Sequence, residues 1–187
     1  MAQYRAQYPA WGLAMRMTLE QMRTRLRSSA SAIVDLVEHT SPDQARWKPT
    51  PDRWSVLEVV CHLADEEVED FRTRLGLVLS DPAKPWPPID PPRAVIERAY
   101  NDRDLGDSLA RFREERQSSL EWLSRLPDPD WTVTHHHPSM GAMTAGVIAA
   151  SWVAHDLLHV KQLTKLHYDW VAREAAPHSI EYAGRWV

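Results

Sequence analysis

Two histidines spaced four apart inside an apolar run constrain this chain more than any other feature. They stand in His155-Asp156-Leu157-Leu158-His159, within the run from Gly146 to Leu166. On a helix, residues i and i+4 lie one above the other, so the two imidazoles project side by side. Turning the segment at about 100° per residue puts Ile148, Trp152, Leu158 and Leu166 on one face with Ser151, His155, His159 and Gln162, while Asp156 and Lys161 point elsewhere. The buried stripe therefore carries two polar rings whose nitrogens need partners. Carbonyls or side chains in a polar core network would serve. A divalent cation would serve both rings at once, and neutral imidazole is the commonest metal ligand. For a pair at this spacing, with other histidines available in the chain, the metal reading is favoured.

The rest of the chain reads as helices around this one. From Trp11 to Glu38, Leu19, Met22, Leu26, Ile33 and Val37 recur at helical spacing, and Pro42 marks the stop. Ala45 to Arg53, with Trp47 just inside it and Trp54 just after, reads as an ordered connection pinned by aromatic packing. Ser55-Val56-Leu57-Glu58 has the form of a capping box, so a second helix is predicted from there to about Leu79, with Val56, Val60, Leu63, Ala64, Phe71, Leu75 and Val78 inward. Periodicity places His62 almost opposite that stripe, among Glu58, Asp65, Glu66 and Glu69, which is a solvated position. Asp81 to Pro92 holds six prolines in twelve residues, making a stiff, extended connection able to carry the chain along a bundle. A third helical region runs from Arg93 to Leu126, with a break near Asn101–Asp104 or Gly106 and an inward face of Leu105, Leu109, Phe112, Leu120, Leu123 and Leu126. Trp131 to Gly141 reads as irregular, with His135, His136 and His137 as loop residues, and Met143 or Thr144 starts the fourth helix. The bundle domain spans 11–170, and 171–187 is a tail that packs on the bundle or on a partner subunit.

Composition excludes several classes of function. With only six glycines among long helix-favouring segments, the chain reads as one all-α domain. Its net charge is −4, and the basic residues are dispersed; Arg23, Arg25 and Arg27 spread around their helix, so no nucleic-acid surface is expected. No segment is apolar and uncharged for long enough to span a bilayer, and Met1 to Ala10 lacks the form of a signal peptide. A cytoplasmic location and no membrane partner are the expectation. The single Cys61 has no internal partner and reads as a small buried hydrophobe.

Trp54-Ser55 followed by His62-Leu63, then His137-Pro138 with Gly141, then His155-Asp156-Leu157-Leu158-His159 with Gln162, resemble in order and spacing the DinB/YfiT-like family of metalloenzymes. The resemblance covers about Leu19 to Leu166. It implies a four-helix bundle of up-down-down-up arrangement with the proline-rich crossover between helices two and three, a homodimer, and a divalent metal held by three histidines. Carried over by position, those are His62, His155 and His159. The acidic residue inside the pair is often Glu in the family; here it is Asp156. The resemblance also implies thiol-dependent transferase or isomerase chemistry in some members.

Three neutral imidazoles leave a tetrahedral or octahedral cation with an open position, as catalytic sites do. Such a centre makes water or a low-molecular-weight thiol nucleophilic near neutral pH. Zinc is the default, with nickel, iron or manganese permitted. Glu58, Glu66 and Asp156 are the candidate proton acceptors or supporting residues. The expected function is a metal-dependent enzyme, transferase-like or hydrolase-like, attacking a small electrophile. The rival is a non-catalytic, dimerising metal- or ligand-binding stress-response protein. A metalloprotease reading of His-Asp-x-x-His ranks low: Asp is one methylene short of the Glu such helices use, and neither His167 nor His178 has the spacing of a third ligand.

Overall fold

Side chains that satisfy the first free amides decide where the helices begin. In the computed structural model, which describes residues 15–186, Thr18 and Gln21 form a capping box that opens α1 (Leu19–Val37). Trp11, the expected start of that helix, and the Met1–Ala10 segment lie outside the described residues. Ser41 caps the one-turn α2 (Pro42–Arg46), so Pro42 both ends the first helical stretch and occupies the first turn of the next. The Ser55–Glu58 capping box opens α3 (Val56–Asp65), and each such cap contributes about 1 kcal/mol.

The helix does not end at Asp65. It widens into a π-helical turn (Glu66–Phe71) and continues as α4 (Arg72–Ser80). The Thr73 hydroxyl donates to the Val68 carbonyl, five residues back. The proline-rich crossover then leads to α5 (Pro91–Glu97), capped by Asp90, and to a short 3-10 turn at Tyr100–Asp102. Asp104 caps α6 (Leu105–Ser124). The expected third helical region is thus broken close to where its sequence suggests, with Ala99 taking a left-handed backbone of φ 47° just before the 3-10 turn.

Trp131 to Gly141 is more ordered than its sequence suggests. β1 (Thr134–His137) pairs antiparallel with β2 (Gly141–Thr144), Thr134 opposite Thr144 and His137 opposite Gly141. Gly141, at φ 77°, supplies the left-handed residue that a short hairpin turn requires. Thr144 then caps α7 (Ala145–Glu174). Beyond α7 the chain folds back, placing the Trp186 ring 5.3 Å from Tyr168. Among the described residues, no helix is long and apolar enough to cross a membrane.

Cross-helix contacts fix the topology. Arg111 pairs with Asp65 and Arg72 with Glu115, so α6 runs parallel to the α3–α4 rod. Arg113 pairs with Glu38 while Arg116 reaches the Leu26 carbonyl, so α1 runs against α6. His62 lies beside His159 and Phe71 beside Trp152, so α7 runs against the rod. The bundle is therefore up-down-down-up.

Its core is layered. Met22, Leu26, Phe71, Leu75, Leu123, Ile148 and Trp152 fill one end; Ile33, Val37, Val60, Leu63, Phe112 and Leu163 fill the other. Between these apolar halves every long helix contributes polar groups: Ser29, His62 with Glu66 and Glu67, Arg116, and His155 with Asp156 and His159. A third apolar cluster, Ala45, Leu57, Cys61, Val95 and Tyr100, closes over the outer side of α3. All ten residues of α3 are consequently buried. That cover explains why the solvated position expected for His62 is not observed: α2, α5 and the 3-10 turn supply a second packing face that helical periodicity alone does not reveal.

Candidate metal centre

His62 and His159 are buried and His155 is half-buried. The Nε2 atom of His155 stands 3.4 Å from Nε2 of His62 and 3.1 Å from Nε2 of His159. One ring nitrogen from each residue lies within 4.8 Å of the other two. The outward nitrogen of His159, Nδ1, is 2.8 Å from Gln162 Oε1. An amide oxygen only accepts, so Nδ1 carries the proton and Nε2 turns a bare lone pair inward. If His155 turns its single N–H inward, that proton serves one neighbour and leaves the other unsatisfied. The three rings cannot satisfy one another, and a divalent cation at their meeting point satisfies all three.

The electrostatics favour neutral rings. Burial, reinforced by mutual repulsion with His159 and His155, pushes His62 down to about 3. His155 is pushed down to about 4 by burial and by His159, and His159 is lowered mainly by burial. At neutral pH all three are unprotonated, the state a metal ligand needs. Trp54 packs its ring 4.9 Å from His62, and Phe71 lies 5.0 Å from His155 while stacking on Trp152. On its far side His62 borders a cleft of about 130 Å³, shared with Asp65, Glu66, Glu69 and Arg98.

The three acidic candidates separate in space. Glu66 Oε1 lies 3.5 Å from His62 Nδ1. Burial, together with the neighbouring Asp70 carboxyl, pushes Glu66 up to about 8, so near neutrality it holds a proton. Glu58 spends one oxygen on the Ser55 amide at 2.8 Å and the other on Lys48 at 3.0 Å; it secures the helix start. Asp156 turns away from the imidazoles into the core, where both oxygens accept from Arg116, at 2.7 and 2.8 Å, and one also accepts from the Ser29 hydroxyl.

The face drawn for α7 from its sequence needs a correction. Leu158 is 65 % exposed, whereas Asp156, Ala149 and Val153 are buried. The buried arc is centred further round the helix, near Asp156, and the histidines lie at its edge. Arg116 is the residue that sequence reasoning missed, and it makes a buried aspartate tolerable. Its signal was present: between Phe112 and Leu120 the apolar stripe of α6 has a gap, and Arg116 fills it. Burial works against its charge, but Glu67 and Asp156 outweigh that and hold the guanidinium firmly protonated. The Glu67 carboxylate also accepts from Trp152 Nε1 at 2.8 Å.

His135, His136 and His137 do not join the centre. His135 is buried in the hairpin, donating from Nδ1 to the Pro82 carbonyl at 2.9 Å and stacking on Trp86 at 4.4 Å. His136 faces solvent. His137 Nδ1 accepts from the backbone amides of Ser139 and Met140.

The architecture and its central cluster define a class: an up-down-down-up helical bundle with three convergent imidazoles supplied by two antiparallel helices. The DinB superfamily profile matches residues 18–163, most of the chain, and the protein belongs to that superfamily. Among solved structures, the chain superimposes with a TM-score of 0.75 on YfiT from Bacillus subtilis. The match has 21 % identity and covers 87 % of this chain and 93 % of that one. YfiT is described as a probable metal-dependent hydrolase with an unusual four-helix bundle topology. The curated proteins contain no significant match.

Proposed function

We propose that this protein is a metal-dependent enzyme whose divalent cation is held by His62, His155 and His159. The observation that carries the proposal is the convergence of three neutral ring nitrogens, two from buried and one from a half-buried histidine, that have too few protons to satisfy one another. Zinc is the default for such a donor set, with nickel, iron or manganese also permitted. When bound, the cation supplies Lewis acidity that makes water or a low-molecular-weight thiol nucleophilic near neutral pH. The reaction is attack by that nucleophile on a small electrophile, hydrolase-like or thiol-transferase-like.

The chain's own residues divide the remaining work. Gln162 holds His159 in the tautomer that turns Nε2 inward. Trp54 and Phe71 exclude water from the flanks of the cluster. Val147, Ala150, Ala154, Leu157 and Leu158 are exposed along one side of α7. This apolar strip supports a homodimer as part of the same reading.

Elemental analysis of untagged protein purified without added metal tests the proposal against a His62→Ala, His155→Ala double variant. About one divalent ion per chain is expected in the wild type and none in the variant. Wild-type protein that neither carries metal nor takes up zinc, nickel or manganese on titration would overturn the assignment.

A further inference from the structure

Arg116 stands on α6, the one long helix apart from α1 that contributes no imidazole. It nevertheless forms the centre of a buried network that includes all four long helices. Its Nη1 donates to the Leu26 carbonyl of α1 at 2.6 Å and to Asp156 of α7 at 2.7 Å; its Nη2 donates to Asp156 at 2.8 Å and to Glu67 of the π-helical turn at 2.7 Å. Ser29 of α1 and Trp152 of α7 complete the set. Arg116, Glu67 and Asp156 are each no more than 2 % exposed.

Three features make this more than core filling. A buried ion pair is a weak source of stability, because desolvation consumes most of its attraction; where such groups are retained, conformational specificity is their best-attested use. The network is also not built to maximise hydrogen bonds, since Glu67 Oε2 and Arg116 Nε are buried with no partner. Finally, its two carboxylates are tied to the imidazoles through the backbone. Asp156 follows His155 directly. Glu67 lies five residues after His62, where the helix widens by one residue per turn, a distortion that recurs at functional sites. Two carboxylates against one guanidinium leave a formal excess of one negative charge in the layer that holds the imidazoles.

We propose that Arg116 is a positioning residue for the three-histidine centre. It clamps Asp156 to Glu67 and thereby sets the separation of His155 and His159 on α7 from His62 on α3. The excess negative charge of the clamp offsets part of the charge of a divalent cation. This rests on the metal reading above and goes beyond it, because it assigns a role in the centre to groups that touch no ligand atom.

Cobalt(II) titration of chelator-treated, full-length protein tests the proposal, with affinity and the visible ligand-field spectrum as readouts. Glu67→Gln keeps the shape and removes the excess charge. A triple variant, Arg116→Met with Glu67→Met and Asp156→Leu, replaces the whole network by apolar groups and so avoids leaving a lone buried charge. Leu123→Ala, further along α6 in the apolar core, is the control for simple destabilisation. The triple variant is expected to bind cobalt more than about tenfold weaker with an altered spectrum, at the lower end of the scale for groups hydrogen-bonded to ligands, and Glu67→Gln about threefold weaker, below that scale because it touches no ligand. Leu123→Ala should melt earlier yet bind as the wild type does. A folded triple variant within about twofold of wild-type affinity and with the same spectrum overturns the proposal. If the triple variant does not fold, unchanged binding by Glu67→Gln overturns it. Wild-type protein that takes up no cobalt overturns the metal reading together with this one, whereas wild-type binding with indifferent variants overturns this one alone.

Discussion

Six of the nine histidines fall into two triplets, and the two could hardly be arranged more differently. His135, His136 and His137 are consecutive, yet the alternation of a strand separates them: one is buried against Trp86, one is in solvent, and one is held by its own turn. His62 and His155 are 93 residues apart, yet with His159 they bring ring nitrogens to one point. The first triplet also leaves a buried ring nitrogen without a partner, His135 Nε2, but that atom stands alone in the hairpin. The second brings one nitrogen from each of three rings together. That convergence, rather than the number of histidines, distinguishes a candidate site from a polar patch.

The largest effect that would break this contrast is on metal content. His155→Ala should abolish stoichiometric binding while His136→Ala leaves it intact; equal content in both variants, measured by elemental analysis, would remove the distinction between the triplets.

Acid stability provides a second test. His62 has a folded value of about 3 against an ordinary 6.5, so in metal-free protein the unfolded chain binds the proton and the folded chain refuses it. Its contribution is present above pH 6.5 and is lost as pH falls from there toward 3. The slope is up to about 1.4 kcal/mol per pH unit. Glu66, raised to about 8, acts in the opposite sense between about 4.5 and 8, so the effect is read as the difference between wild type and His62→Gln in denaturant melts at several pH values. Identical pH profiles would show that the imidazole is not buried neutral.

A smaller effect is expected at Gln162. Removing its amide in Gln162→Ala frees His159 to change tautomer and should weaken metal binding by about tenfold; undiminished affinity would mean that the ring is held by its packing alone. The smallest effect falls on the first triplet. His135→Ala loses the hydrogen bond to Pro82 and the stack on Trp86, which should cost about 1–2 kcal/mol of stability in a denaturant melt with no change in metal content. A change in metal content would join the hairpin to the centre.

How legible these features were depended on the range of the forces that made them. The pairing of His155 with His159 follows from helical period alone, the start of α3 from the Ser55–Glu58 capping box, and the break before α6 is legible near Asn101–Asp104. His62 was legible only through family resemblance, because its burial depends on Trp54 and on α2 and α5 folding over α3. The hairpin escaped because three histidines in a row show no apolar alternation, and Gly141 alone does not announce a turn. Asp156 falls off the face that helical rotation draws through Ile148, Trp152, Leu158 and Leu166, because Leu158 pulls that face away from the observed buried arc. Arg116 makes its burial tolerable, and nothing in the sequence near Asp156 points to that arginine.

The order of the helices also bears on how the protein comes into being. α7, which carries two of the three imidazoles, lies far along the chain from α1 and packs beside it. Contacts between distant parts of a chain pay the entropy of closing everything between them before they are rewarded. α1, the α3–α4 rod and α6 all precede α7, and without it the polar layer lacks the groups that complete it. The centre is therefore complete only when α7 seats between α1 and the α3–α4 rod, so its formation is tied to the longest-range packing in the bundle.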